Sequence, residues 1–243
     1  MAPDVRPRRG RDNASLRTLT LEPGVAPYAE GSCLVAFGET RVLCSASVEA
    51  GVPSWRKGKG LGWLTAEYAM LPRATRTRTP RERERLGGRT QEIQRLIGRS
   101  VRAMLDDFAW GEWTIKLDCD VMQADGGTRT ASITGACVAV QEAFGWLVRE
   151  GHLPASPVKR LVAAVSVGVV DGEVRCDLDY DEDVRAAVDM NVVMSNAEAF
   201  VEVQGTGEHG TFSRRELQEL LDCATAAIVA LDARQRALAR PAT

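Results

Sequence analysis

The chain has 243 residues, 44% of them hydrophobic and 26% charged, with a formal net charge of -2. That is the make-up of a folded protein with a sizeable core, and it excludes a disordered polyelectrolyte and a uniformly basic nucleic-acid coat. Its six cysteines are widely spaced, with no C-x-x-C pair to suggest zinc or a redox dithiol. Reduced buried thiols are expected. No apolar run is read as approaching the roughly 20 residues that cross a bilayer. The amino-terminal MAPDVRPRRGRDN is basic without the apolar stretch of a secretory signal. A cytoplasmic location, away from membranes, is the expectation.

In chain order, residues 1–14 are expected to be a flexible basic arm, whose Arg6, Arg8, Arg9 and Arg11 could touch nucleic acid. Strands follow at Leu16–Glu22, Ser32–Phe37 and Arg41–Val48, then a Gly/Lys-rich loop and a short strand at Trp63–Met70. A helix near Thr90–Phe108 carries Ile93, Leu96, Ile97, Val101, Met104 and Leu105 on one face. Strict alternation from Trp113 to Val121 predicts a half-buried strand, which leads through the turn ADGGTR into a helix at about Thr130–Glu150. Strands resume at Leu161–Val170 and Glu173–Asp179 about the hairpin signal Asp171-Gly172, and again at Asp189–Met194 and Phe200–Gln204. A capping box at Ser213–Glu216 opens the last helix, with Leu217, Leu220, Leu221, Ala224 and Ile228 as its buried stripe. The order of elements suggests an α+β chain of two fused halves, residues 15–151 and 152–243, each running from antiparallel strands into helices.

Three segments carry residue types suited to chemistry. In Ala124–Thr130 (ADGGTRT), paired glycines precede a helix start bearing Thr128 and Arg129. Such a turn can converge backbone N–H groups on a phosphate-sized anion, or it can be a tight turn with Thr130 as N-cap. Between Arg73 and Arg89 lie seven arginines in seventeen residues, broken by threonines and Pro80. That is an extended basic loop, and guanidinium forks suit a nucleic-acid backbone. Within it, Glu82 and Glu84 are expected to neutralise Arg81–Arg85, leaving Arg73, Arg76 and Arg78 without acidic neighbours in sequence. Arg89, in Gly87-Gly88-Arg89-Thr90, stands at a second helix start. Finally, Asp177, Asp179, Asp181, Glu182, Asp183 and Asp189 crowd into thirteen residues. The pattern imitates an EF-hand loop but lacks its glycine at the sixth position (Glu182) and its glutamate at the twelfth (Val188). Asp177 and Asp179 would share one strand face, and Asp183 and Asp189 could converge to hold Mg²⁺ or supply an acid; an acidic solvated turn is the alternative. His152 and His209 read as surface residues.

Four stretches taken together, GWLTAEYAMLPR (Gly62–Arg73), GGRTQEIQRLIGRS (Gly87–Ser100), LDCDVMQADGGTRTASITGA (Leu117–Ala136) and CDLDYDEDVRAAVDMNVVM (Cys176–Met194), resemble the ribonuclease PH family. The resemblance implies phosphate-dependent 3′-to-5′ exoribonuclease and nucleotidyltransferase activity on precursor transfer RNA. It also implies halves like ribosomal protein S5 domain 2 and a homo-hexamer built as a trimer of dimers. Residue by residue, it places phosphate on Arg89, Gly127, Thr128 and Arg129, the RNA 3′ end on Arg73, Arg76 and Arg78, and Mg²⁺ or acid catalysis on Asp183 and Asp189. Val184 departs from the family's usual serine. Rival readings are a silent RNA-binding ring subunit and a small-molecule phosphotransferase.

Overall fold

A computed structural model of the chain describes residues 8, 10–82 and 85–238. Strands β1 (Leu19–Pro23), β2 (Gly31–Phe37), β3 (Thr40–Ala50), β4 (Trp63–Met70) and β5 (Trp113–Gln123) form a sheet in the order β1-β2-β3-β5-β4. All neighbours are antiparallel except β4 and β5. A parallel pair needs a crossover, and helix α1 (Gly88–Arg102) supplies it. The helix stops well short of Phe108. Beyond it the Met104 carbonyl accepts from the amides of Lys159 and Arg160, so the backbone bonds across the chain instead of along the helix.

A second, fully antiparallel sheet has the order β7-β6-β8-β9, from β6 (Val162–Val170), β7 (Glu173–Cys176), β8 (Val188–Ser195) and β9 (Ala199–Gly207). At the β6–β7 turn Asp171 and Gly172 both take positive φ, 54° and 81°, as the hairpin signal requires. Between the sheets runs α2 (Thr128–Arg149), against β2, β3 and β5 on one side and β6 on the other. β7 covers only residues 167–170 of β6, which leaves the start of β6 with unpaired edge groups. Side chains fill them: Thr134 Oγ1 both accepts from and donates to the backbone of Ala164, and Gln235 Nε2 donates to the Val162 carbonyl at 3.0 Å. Gln235 belongs to α4 (Arg214–Leu238), whose start is closed by the Ser213–Glu216 capping box.

Contrary to the reading that no apolar run approaches a bilayer's width, α2 is long and apolar enough by length and composition, with a mean hydropathy of 1.3. However, 72% of that window is buried inside the protein, so the two sheets account for its apolarity. The six cysteines are unpaired thiols, all buried except the half-buried Cys223.

Two expectations for the acidic stretch and the arm are corrected. β7 ends at Cys176, because Asp177 adopts φ 51° and turns the chain; Asp177 and Asp179 therefore share no strand face. Asp179 instead caps the short helix α3 (Tyr180–Asp183). The arm is not free from Arg8 onward: the described residues of it are pinned, with Cys176 N donating to the Asn13 carbonyl at 2.7 Å and Arg8 and Arg11 paired with Glu182. Burying that carboxylate without cations would cost several kcal/mol, of order 3–5. Arg6 and Arg9 lie outside the described residues, as do Arg83 and Glu84 of the arginine-rich loop.

Candidate active site

The starts of α1 and α2 are built alike. Each has a glycine as N-cap, Gly87 or Gly127, each lacks a side-chain cap, and each carries an arginine, Arg89 or Arg129, as its second residue. Side-chain capping normally satisfies a first-turn N–H, so its absence leaves donors and a partial positive charge available at both ends. Thr130 is not the N-cap; its hydroxyl donates back to the Gly127 carbonyl at 3.0 Å. Thr128 is fixed by a 2.9 Å hydrogen bond with the Tyr68 hydroxyl of β4.

Arg129 is aimed by its neighbours. Its Nη2 donates to Glu92 Oε2 of α1 at 3.1 Å, and Gln204 of β9 donates to the other oxygen of Glu92 at 3.1 Å. Arg129 Nε and Gln204 Oε1 are buried and find no hydrogen-bond partner among the described residues. Unmet polar atoms at a cleft wall are what an incoming polar ligand satisfies.

Opposite stand two carboxylates on different elements: Asp183 ends α3, and Asp189 is the second residue of β8. Burial raises the Asp183 pKa against the opposing pull of Arg89 and Arg129. Burial and then repulsion from Asp183 push Asp189 up to about 6. Asn191, two residues along β8, points to the same face.

These groups wall a pair of adjoining cavities, each about 390 Å³, that share Arg89, Arg129, Asp183, Asp189 and Asn191. One continues between β9 and the exposed His209, past Val184, Gln204 and Glu208. The other runs along Gly126, Gly127, Thr128 and the loop after β4, where Thr75, Arg76 and Thr77 line it, with Tyr180 of α3 beside them. Of the residues singled out from sequence, Arg89, Gly127, Thr128, Arg129, Asp183, Asp189 and Arg76 are brought together. Arg73 and Arg78 are exposed on the same loop and line neither cavity. Arg76, without acidic neighbours in sequence, lies 3.8 Å from Asp181 and 5.8 Å from the Tyr180 ring centre. Glu92, Gln204 and Tyr68 went unread because their roles depend on partners from other elements; Asn191 alone had a signal, as the third residue of the D-M-N run. Among the described residues no three His, Cys, Asp or Glu side chains gather as a metal cluster.

Residues 15–144 match the model of the 3′ exoribonuclease family, domain 1, and residues 160–227 that of domain 2. Ribonuclease PH of Nocardia farcinica is 58% identical over 236 residues, covering 96% of this chain and 92% of that protein. Ribonuclease PH of Mycobacterium avium is 59% identical over 230 residues, 93% of this chain and 89% of that protein. Among solved structures, the Archaeoglobus fulgidus exosome with RNA bound to the active site superposes with a TM-score of 0.79 at 22% identity, covering 93% of this chain and 91% of its own. Rice (Oryza sativa) Rrp46 does so with a TM-score of 0.73 at 20% identity, over 93% and 97%. At such identities the likeness is one of fold.

Proposed function

The chain belongs to the 3′ exoribonuclease family, and on that premise we propose that it is a phosphorolytic 3′-to-5′ exoribonuclease that trims precursor transfer RNA. Inorganic phosphate would be its co-substrate and nucleoside diphosphates its products. The observation that carries this reading is the cleft itself, with two uncapped, arginine-bearing helix starts on one wall and two facing carboxylates, the exposed Asp183 and the half-buried Asp189, on the other.

Phosphorolysis must bring an anionic nucleophile to an anionic diester. Arg89, Arg129 and the first-turn N–H groups of α1 and α2 offset that repulsion and hold phosphate in one orientation, with the unmet Arg129 Nε as a further donor. A phosphate oxygen then attacks the last phosphodiester; its bond to the ribose 3′ oxygen of the preceding nucleotide breaks, and the terminal nucleotide leaves with the phosphate as a diphosphate. One phosphoanhydride replaces one phosphodiester of similar energy, so nucleotide addition from diphosphates is expected in reverse. Arg76, with the threonines beside it, would face the RNA 3′ end, and Arg73 and Arg78 would meet the strand outside the cleft.

Asp183 and Asp189 fit Mg²⁺, which favours one or two carboxylates together with water and substrate phosphate over an all-protein cage, so it does not need the three-residue cluster that the described residues lack. When bound, the ion would supply positive charge to the oxygens of the reacting group. Burial raises the pKa of both aspartates despite the opposing pull of Arg89 and Arg129, so a bound cation would further favour their ionised forms. The remaining assignments, a cytoplasmic enzyme of two exoribonuclease halves meeting near residue 151 and assembled as a homo-hexamer, follow the same family reading.

The test incubates a 3′-extended transfer RNA with the protein and Mg²⁺, with and without phosphate. Shortened RNA and nucleoside diphosphates are expected only with phosphate; monophosphates formed in water alone would sink the reading. If both aspartates act ionised, kcat/KM at low Mg²⁺ should rise as pH passes through about 6, the value toward which Asp189 is pushed. Raising Mg²⁺ should move that limb to lower pH, because cation and proton compete for the pair. A limb that instead falls above pH 6, where Asp189 loses its proton, would make that residue the proton donor.

A further inference from the structure

We infer that Arg8, reaching from the amino-terminal arm, is a positioning residue for Asp183 and acts through Glu182. The inference rests on the reading of Asp183 given above. Asp183 ends a helix of four residues, too short to hold itself by its own hydrogen bonds. Its order has to come from tertiary contacts. Part is local, since Glu182 N donates to Asp179 Oδ1 at 2.9 Å and Asp179 N donates back to Glu182 Oε2 at 3.2 Å. The rest arrives from far along the chain: Arg8 Nε and Nη2 grip the two oxygens of Glu182 at 2.6 and 2.8 Å.

The same guanidinium donates to the Cys176 carbonyl at 2.6 Å and to those of Asp12 and Asn13 at 3.0 and 3.1 Å. One side chain therefore ties both ends of the Cys176–Glu182 segment to the arm, with Asp183 the next residue along. Arg11 and Arg175 complete the shell around Glu182, each at 3.2 Å. Arg8 and Glu182 are only 2% and 5% exposed, so the fork works in a medium where losing one partner strands the other. Arg8 lines neither cavity, so its influence on chemistry has to pass through Glu182.

Arg8→Met and Glu182→Gln should each lower kcat about 10- to 100-fold, the effect of a displacement near 1 Å at a reacting group. The KM for inorganic phosphate should change less than about threefold, because phosphate sits on α1 and α2. Hydrogen exchange should quicken at residues 180–184 and stay unchanged at the start of α2. Arg8→Lys, which keeps the charge but loses the fork, should recover part of kcat, and the same readouts on it serve if Arg8→Met does not fold. A parent-like kcat in Arg8→Met overturns the inference, as does a loss that comes with exchange quickened throughout the chain and weaker phosphate binding. Asp183→Asn separates the two claims: if it stays active, the reading of Asp183 falls; if it is inactive while Arg8→Met is not, only the inference falls.

Discussion

Asp189→Asn is expected to abolish nucleoside diphosphate release, a loss of about 10²–10⁴-fold, while making the metal-free protein more stable at pH 8. Both effects come from one cause. Folding moves the Asp189 carboxyl into a half-buried site beside Asp183 and raises its pKa from the ordinary 3.8 to about 6. A carboxyl whose folded pKa lies above its unfolded value favours folding only while protonated. That advantage is complete below about 3.8, fades as pH rises toward 6, and is gone above it. At pH 8 the parent must therefore keep a desolvated charge next to another, which the isosteric amide does not. Allowing for partial exposure, the difference should be roughly 2 kcal/mol at pH 8 and near zero at pH 4. Denaturant midpoints of both proteins at the two pH values, without Mg²⁺, check it. A variant no more stable than the parent at pH 8 would mean that the carboxylates are not strained against each other. Adding Mg²⁺ should narrow the gap by stabilising the parent alone.

Much of this site was legible because its parts announce themselves locally. Glycine pairs before a helix mark Arg89 and Arg129, and the capping box of α4 and the Asp171-Gly172 turn each spell out their own backbone geometry. Four motifs in order then carry the family. What was not legible depends on pairs of distant residues. Glu182 lies 174 positions from Arg8, and nothing near either residue signals that a buried ion pair joins them. An arm of arginines and prolines reads as a solvated tail until the carboxylate that fixes it is known. In the same way the strand expected to run from the Asp171-Gly172 hairpin signal through Asp179 is overruled at Asp177, whose carboxylate takes the backbone N–H of Arg17 at 2.7 Å and its guanidinium at 2.7 and 3.0 Å. That satisfaction makes a left-handed turn affordable at a non-glycine residue. The parallel placement of β4 beside β5 was equally hidden, since the length of α1 and its loops permits a crossover without requiring one.

Gly126→Ala should be the most damaging single methyl in the site. Gly126 has φ 77°, where any side chain is strained, and a Cβ there would lie 2.4 Å from the Leu178 carbonyl oxygen and 2.7 Å from the carbonyl carbon of Asp179. Both are backbone atoms, so no rotamer change relieves the clash. The contact joins the Gly126-Gly127 turn before α2 to the segment that leads into α3, and Arg17 clamps the same junction by donating to the Asp125 carbonyl and to Asp177. A methyl group wedged there must push α3, and with it Asp183, away from the start of α2. Backbone strain of this kind costs about 1–3 kcal/mol. A shift near 1 Å between nucleophile site and carboxylates costs about 100-fold in rate. The expected pattern is thus a fall in kcat larger than the loss of thermal stability would suggest, with RNA still retained by the arginine loop. Steady-state rates, a melting curve and RNA binding on the same preparation test it. A variant that melts early but keeps its kcat at low temperature would show that the two walls of the cleft tolerate separation, and would leave Gly126 a role in folding alone.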